Sequence, residues 1–326
     1  MSGFEPRGIY PAIPTAINDD GSLNLEAQQN HVDYLEEGGV HGIVPAGCTG
    51  HAATLGDLSN QELYNEHVRY VSEVADMTDL PVIAGDGMNS TQQTIDLAQA
   101  VEDQADIDAH LMISPYQNCP PQDLIVEHYS QVAEELDEDI IAYNVPGRTG
   151  RNIEPRTVER LAEIPGVIGI KEASNDPEQI REMGARLSGY DKFHLGSGDD
   201  GRNDLVFGEG GDFAISVSAN VHPEGVLSVW EEGYENSNPE AAEQINQELQ
   251  PLHNAMFQYG EKNPISVQYA VNQLGFDFGT PRDPLGREPL EGYEETHGEV
   301  FTNQTEIEHV LDHFGLLEEE TGERAV

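Results

Sequence analysis

The stretch "GVIGIKEA", Gly166 to Ala173, is short, β-branched and apolar at successive positions, with a glycine at its head and helical patterns on either side. An apolar run of this length without polar alternation describes a strand buried on both faces, as in a parallel sheet covered by helices. Seven further runs share its character: "GIYPAIPTAI" (Gly8 to Ile17), "GIVPAG" (Gly42 to Gly47), "LPVIAGDG" (Leu80 to Gly87), "DAHLMISP" (Asp108 to Pro115), "DIIAYNVP" (Asp139 to Pro146), "KFHLGSGDD" (Lys192 to Asp200) and "DFAISVSA" (Asp212 to Ala219). Between them lie helical patterns such as "LEAQQNHVDYLEEGG", "NQELYNEHVRYVSEVAD", "TQQTIDLAQAVEDQ" and "PQDLIVEHYSQVAEEL". Several open on Ser, Asn, Asp or Pro cap residues, and one closes on Gly-Gly. Eight such units over about 230 residues predict an α/β fold, a closed TIM (β/α)8 barrel rather than an open sheet.

After Glu235 the strand pattern stops, and three helical runs follow: "NPEAAEQINQELQPLHNAMFQYG", "NPISVQYAVNQLG" and "TEIEHVLDHFGLL". The expected organisation is a barrel over residues 1–235 that carries the chemistry and a C-terminal helical extension over 236–326.

Composition narrows the setting. Sixty-one acidic against fifteen basic residues give a formal charge of -46, and the sequence pI is near 4.2. The acidic residues are spread along every segment instead of gathering in runs, which describes a globular protein with an acidic coat and not a disordered tail. Such self-repulsion destabilises a compact state at low salt, while at 1 M salt the screening length is only about 3 Å. A salt-rich cytoplasm is therefore the expected setting. No basic face is visible for phosphate, so nucleic acid is not an expected partner. Cys48 and Cys119 offer neither a disulfide framework nor ligand spacing, and the twelve histidines are singletons, so no metal is expected. No leader pattern and no apolar stretch approaching about 18 residues is present, so a cytoplasmic protein with no membrane partner is expected.

Lysine is almost absent: only Lys171, Lys192 and Lys262 occur. Lys171 stands at the end of the sixth apolar run, and in a TIM barrel the active site is built at the C-terminal ends of the strands. A desolvated lysine loses basicity, so its neutral amine can attack a carbonyl carbon and form a Schiff base. A lysine there could alternatively snorkel out or pair with Glu172. Tyr143 ends the fifth run, where a phenol could relay protons, or could be a core tyrosine bonded to backbone. Gly47-Cys48-Thr49-Gly50 offers backbone N–H groups in a tight turn ahead of a helix, suited to a carboxylate, or is only a glycine-permitted connection. Arg148 in "PGRTG" is a fixed fork for a second carboxylate, or one half of a surface ion pair.

Taken together, "GCTGH", "YNVPGRTG", "GIKEAS", "SGDD", "ISVSANVHP" and "NPISVQYA" resemble the dihydrodipicolinate synthase and N-acetylneuraminate lyase family, over about Gly8 to Leu290. The resemblance implies a TIM barrel whose Lys171 forms a Schiff base with pyruvate, with Tyr143 handling its protons. It implies that Thr49 and the turn at Cys48 hold the pyruvate carboxylate and that the backbone near Gly198 and Ile215 lines the pocket. Within the family "PGRTG" looks most like the synthases, whose arginine at the position of Arg148 binds the carboxylate of aspartate semialdehyde.

Three positions depart from the family pattern. Cys48 stands for threonine, Gln117 for a tyrosine contributed across a dimer interface, and His51 for glutamate, while Tyr116 is as the family has it. The implied relay is thus Tyr143, Cys48 and Gln117, and glutamine cannot ionise. That favours, as alternatives, an aldolase or dehydratase acting on a 2-keto-3-deoxy sugar acid, or a barrel that binds a keto acid without turnover. The resemblance further implies a homotetramer or dimer of dimers, and no cofactor, because the lysine itself serves as electron sink. Feedback by lysine is not expected, since Asp57 and Asn60 stand where regulated members carry histidines.

Overall fold

A computed structural model describes residues 3–55, 61–257, 263–286, 294–296, 299–301 and 304–317. Lys262, Asp57 and Asn60 lie outside these residues. Seven parallel strands form one curled sheet: β1 (Gly8–Pro11), β2 (Ile83–Gly85), β3 (Ala109–Ile113), β4 (Asp139–Asn144), β5 (Val167–Glu172), β6 (His194–Ser197) and β7 (Phe213–Ser216). Their spatial order is β1-β7-β6-β5-β4-β3-β2.

The second of the eight apolar runs does not form a full strand, yet it completes the barrel. Ile43 pairs with Val82 and Val44 with Ala12 in isolated parallel bridges, so this segment joins the two edges of the sheet. Ile43 donates its N–H to the Pro81 carbonyl and Val44 donates to Pro11, each at 2.9 Å. The run is short because Pro45 has no N–H with which to continue the ladder. Gly42 is required there: a Cβ would stand 2.5 Å from both the Pro81 carbonyl oxygen and the Tyr10 ring.

Helices follow the strands as their apolar periodicity requires: α1 (Leu25–Glu37), α2 (Gln61–Ala75), α3 (Thr91–Glu102), α4 (Gln122–Ala133), α5 (Pro146–Thr149), α6 (Pro155–Leu161), α7 (Pro177–Leu187), α8 (Asn203–Gly208) and α9 (Pro223–Trp230). Asn24 caps α1 by accepting the Ala27 N–H, and Gly39 leaves it with a φ of 79°. Strand alternation then sorts the side chains. Tyr10, Ile83, Leu111, Ile141, Tyr143, Phe213 and Ile215 fill the barrel interior. Met112, Ile140, Ala142 and Ile170 face the helices, with Ile125, Tyr129, Val158 and Ile180. Burying each Ile, Leu or Phe contributes about 1.5–3 kcal/mol.

The C-terminal segment differs in detail from its expected three helices. The first run breaks into α10 (Pro239–Glu248) and α11 (Gln250–Met256), because Pro251 removes a donor at the start of the second. The remaining runs form α12 (Ile265–Gln273) and α13 (Gln304–His313). An antiparallel pair, β8 (Glu294–Thr296) and β9 (Glu299–Phe301), lies between them where no strand was expected. "EET" and "EVF" lack the apolar runs by which a buried strand is recognised. Leu252, Met256, Val267, Phe278, Ile307 and Leu311 share an apolar cluster with Val217 and Val221, so these helices pack against the chain that follows β7.

Candidate active site

Neighbouring strands in register bring the chemistry together. β4 pairs with β5 so that Tyr143 faces Lys171 and Asn144 faces Glu172. Because successive residues of a strand point to opposite faces, Lys171 enters the barrel with Tyr143 while Glu172 turns toward the helices. Glu172 is fully occupied there: its Oε2 accepts from Asn144 Nδ2 at 2.8 Å and Gln179 Nε2 at 3.0 Å, and its Oε1 accepts from the Ser174 N–H at 2.5 Å. Pairing of Lys171 with Glu172 is thereby excluded. Snorkelling is excluded as well, since Lys171 is only 5% exposed.

The Lys171 Nζ lies 4.3 Å from the Tyr143 ring centroid, over its negative face. Burial lowers the amine to about 8, an effect reinforced by the Arg148 charge and opposed by Cys48 and Asp200. Burial likewise pushes the Tyr143 phenol well above its ordinary value, and its hydrogen bond with Cys48 adds to the shift. Tyr143 is therefore held protonated beside an amine that is partly neutral near pH 8. Gly198 seals the other side of the lysine: a Cβ there would meet Lys171 Cε at 2.7 Å and Cγ at 2.8 Å. Ile215 shares the apolar cluster of Tyr143, Val145 and Cys48.

The turn at Gly47-Cys48-Thr49-Gly50 leads into a single 3-10 turn, Ala52–Thr54, and not directly into an α-helix. Its shape is fixed from both sides. Thr15 Oγ1 donates to the Gly50 carbonyl at 2.7 Å, and a Cβ on Gly50 would stand 2.8 Å from the Ala46 nitrogen. Thr49 is buried, and its Oγ1 accepts from Asn263 Nδ2 at 2.9 Å. The Asn263 carbonyl in turn accepts from Arg148 Nη2 at 3.2 Å. Arg148 is exposed and, among the described residues, makes no ion pair, which leaves its guanidinium facing solvent and cavity.

That cavity, about 350 Å³, is lined at this end by Cys48, Tyr116, Arg148 and Asn263, with Met88, Leu97, Ile113 and Leu285 as apolar walls. Gln117, the position expected to act across a dimer interface, does not line the cavity of its own chain. It is exposed, at a φ of 65°, outside the cavity wall and outside the apolar cluster around Tyr143. His51 is buried at a φ of 61°, and burial lowers its imidazole to about 4, so it is a neutral part of the wall.

Two residues that sequence patterns do not single out complete the arrangement. Asp200, from the quoted "SGDD", accepts the backbone N–H groups of Val217 and Ser218 on Oδ2, each at 2.9 Å, and so ties the end of β6 to the segment after β7. Asn263, the first residue of "NPISVQYA", links Thr49 to Arg148; only the fold brings it 214 positions back along the chain. Among the described residues, no group of three or more His, Cys, Asp or Glu side chains could hold a metal ion, and no helix is long and apolar enough to cross a membrane. A buried amine, a protonated phenol, a turn of backbone donors and an exposed guanidinium can capture a carbonyl compound as an imine and hold two carboxylates.

Comparison with known proteins agrees with this geometry. A family model described as the dihydrodipicolinate synthetase family matches residues 5–302. The chain is 38% identical over 307 residues to the 4-hydroxy-tetrahydrodipicolinate synthase of Haloarcula marismortui, covering 94% of this chain and 96% of that protein. Among solved structures, dihydrodipicolinate synthase from Thermotoga maritima superposes with a TM-score of 0.86 at 34% identity, covering 96% of this chain and all of that one. The chloride-inhibited dihydrodipicolinate synthase from Acinetobacter baumannii, complexed with pyruvate, superposes with a TM-score of 0.85 at 31% identity, over 96% of this chain and 100% of that one.

Proposed function

The chain belongs to the dihydrodipicolinate synthetase family, and from that premise we propose that it condenses pyruvate with aspartate semialdehyde through a Schiff base on Lys171. The observation that carries the reading is the buried Lys171 amine, lowered to about 8 and set against Tyr143. The neutral amine attacks the pyruvate carbonyl carbon, and loss of water leaves the imine. Removal of a methyl proton gives the enamine, whose carbon attacks the aldehyde. Tyr143, hydrogen-bonded to Cys48, supplies and recovers these protons. Thr49 and the backbone donors at Cys48 hold the pyruvate carboxylate, and Arg148 holds that of the aldehyde. No cofactor is required, because the protonated imine withdraws the electrons.

Borohydride added with pyruvate in high salt tests the first half. A mass increase on the peptide holding Lys171, lost in Lys171→Ala, is the expected result, and no adduct refutes the reading. Arg148→Ala tests the second half: it raises the KM for aspartate semialdehyde while leaving the pyruvate adduct, and unchanged synthase activity contradicts its role.

A second reading, cleavage or dehydration of a 2-keto-3-deoxy sugar acid by the same imine, is favoured by one observation. Where the family resemblance implies two hydroxyl-bearing members of a proton relay, this chain has Cys48 and the exposed Gln117. Turnover of 2-keto-3-deoxygluconate, compared with that of pyruvate plus aspartate semialdehyde, separates the two. The protein is proposed to work in a salt-rich cytoplasm as a homotetramer or dimer of dimers, which sedimentation in high salt tests.

A further inference from the structure

The two side chains assigned to carboxylates, Thr49 and Arg148, hang on one residue of the C-terminal segment. Asn263, two positions ahead of α12, is only 7% exposed and stands in the cavity wall with Cys48 and Arg148. Its side chain and its main chain are used separately. Asn263 Nδ2 donates to Thr49 Oγ1 at 2.9 Å, and the Asn263 carbonyl accepts from Arg148 Nη2 at 3.2 Å. Among the described residues, each is the only side-chain hydrogen bond that Thr49 or Arg148 makes.

The first bond decides what the Thr49 hydroxyl can do. An amide NH2 group donates and cannot accept, so it occupies a lone pair of Oγ1 and leaves the hydroxyl proton uncommitted. Thr49 is 2% exposed, which shuts that proton away from bulk water. A buried donor without an acceptor is unfavourable, and a carboxylate placed at the turn removes the deficit. The opposite orientation of the amide would present its oxygen to Thr49 and take the proton. The orientation found has its own cost, since Asn263 Oδ1 is buried with no donor among the described residues. An acceptor at Asn263 is thus given up to keep a donor free at Thr49. The second bond acts on a different partner. Arg148 stands on α5, a single turn of four residues, and the Asn263 carbonyl restrains the direction of its guanidinium. Both restraints meet at one residue, so a shift of its side chain also disturbs the carbonyl that aims Arg148.

We propose that Asn263 is a positioning residue that couples the two carboxylate sites: its amide turns the Thr49 hydroxyl proton toward pyruvate, and its main chain aims Arg148 at the second substrate. Asn263 itself touches neither carboxylate. The proposal rests on the reading of the protein as a pyruvate-condensing synthase and adds to it a link between the two binding sites, supplied by the segment that follows the barrel.

Steady-state kinetics with pyruvate and aspartate semialdehyde in high salt test the link, and borohydride trapping at saturating pyruvate shows that each variant keeps a competent Lys171. Asn263→Ala is expected to raise the KM for pyruvate about tenfold, as loss of one hydrogen bond behind a charged contact gives, and that for aspartate semialdehyde about threefold. Asn263→Leu keeps a similar volume without the donor, and it is expected to behave as Asn263→Ala does. Recovery of both KM values by leucine, or a lowered kcat with both KM values unchanged, identifies a residue that only fills space and overturns the proposal. Thr49→Val cuts the same bond from the other end and is expected to raise both KM values. In its background Asn263→Ala should add less than about twofold to the KM for pyruvate, and a further tenfold rise overturns the proposal. If the Asn263 variants do not fold, Thr49→Val decides alone: an unchanged KM for aspartate semialdehyde overturns the coupling. Absence of the pyruvate adduct in the wild-type protein overturns the synthase reading itself, whereas an adduct with unmoved KM values overturns only the role of Asn263.

Discussion

Lys171 holds its Nζ 4.3 Å from the centre of the Tyr143 ring, across the register pair that joins β4 to β5. The relationship sets a pH dependence. With the amine near 8, its neutral fraction falls about tenfold per pH unit below that value. The rate of pyruvate adduct formation, followed by borohydride trapping and mass spectrometry, should rise with pH and level off above about 8. A profile still rising toward the ordinary lysine value contradicts the burial argument.

The same burial predicts that the reactive lysine destabilises its own fold. Its folded pKa, near 8, lies below the ordinary lysine value of 10.5. The penalty is therefore full below about pH 8 and gone once pH passes the unfolded value. Lys171→Met should raise the unfolding free energy at pH 7 by on the order of 3 kcal/mol, and the gain should disappear above about pH 10.5. Denaturant titrations of both proteins at pH 7 and at high pH measure the difference.

Gly198→Ala should impair the reaction without unfolding the protein. The added methyl would overlap Lys171 Cε and Cγ and lie 2.9 Å from Ala173 Cβ, so the lysine must move. Displacement of a reacting group by about 1 Å can cost on the order of a hundredfold. The expected outcome is adduct formation slowed by about that factor, with an unchanged circular dichroism spectrum.

Buried histidines give the stability curve two limbs. Burial lowers His31, His51 and His128 to about 4, so the unfolded chain binds more protons than the folded one between about 4 and 6.5. Stability should fall as pH drops through that window, with uptake of about three protons on unfolding. His110 has the opposite sign: burial disfavours its charge, but Asp86 and Glu102 outweigh burial and raise it to about 9. Its contribution is complete below about 6.5 and is lost as pH rises toward 9. Urea midpoints measured from pH 4 to 8 should trace both limbs, and His110→Gln should remove only the alkaline one.

A formal charge of -46 predicts dependence on salt. Melting followed by circular dichroism should show the fold weakened or lost at ~0.05 M KCl and restored at molar concentrations, where the screening length is about 3 Å. Full stability at the low concentration would contradict the inferred setting.

The barrel was legible because eight apolar runs repeat one pattern, and seven became strands. Ile43 and Val44 form only bridges, since Pro45 ends the ladder in a way that apolarity alone does not convey. Lys171 and Tyr143 were legible because each stands at the end of a run. Asp200 and Asn263 were not, as each owes its role to partners distant in sequence: the Val217 and Ser218 amides, and Thr49.

β5 carries its amine and its buried carboxylate on consecutive residues, and the pleat sends them to opposite sides of the sheet. Parity, as much as identity, is therefore what this strand preserves. Inserting or deleting one residue within Val167–Ile170 would rotate Glu172 into the barrel and Lys171 into the helix layer, even if every remaining side chain stayed apolar. Change can accumulate in this segment by substitution but not by a shift in length.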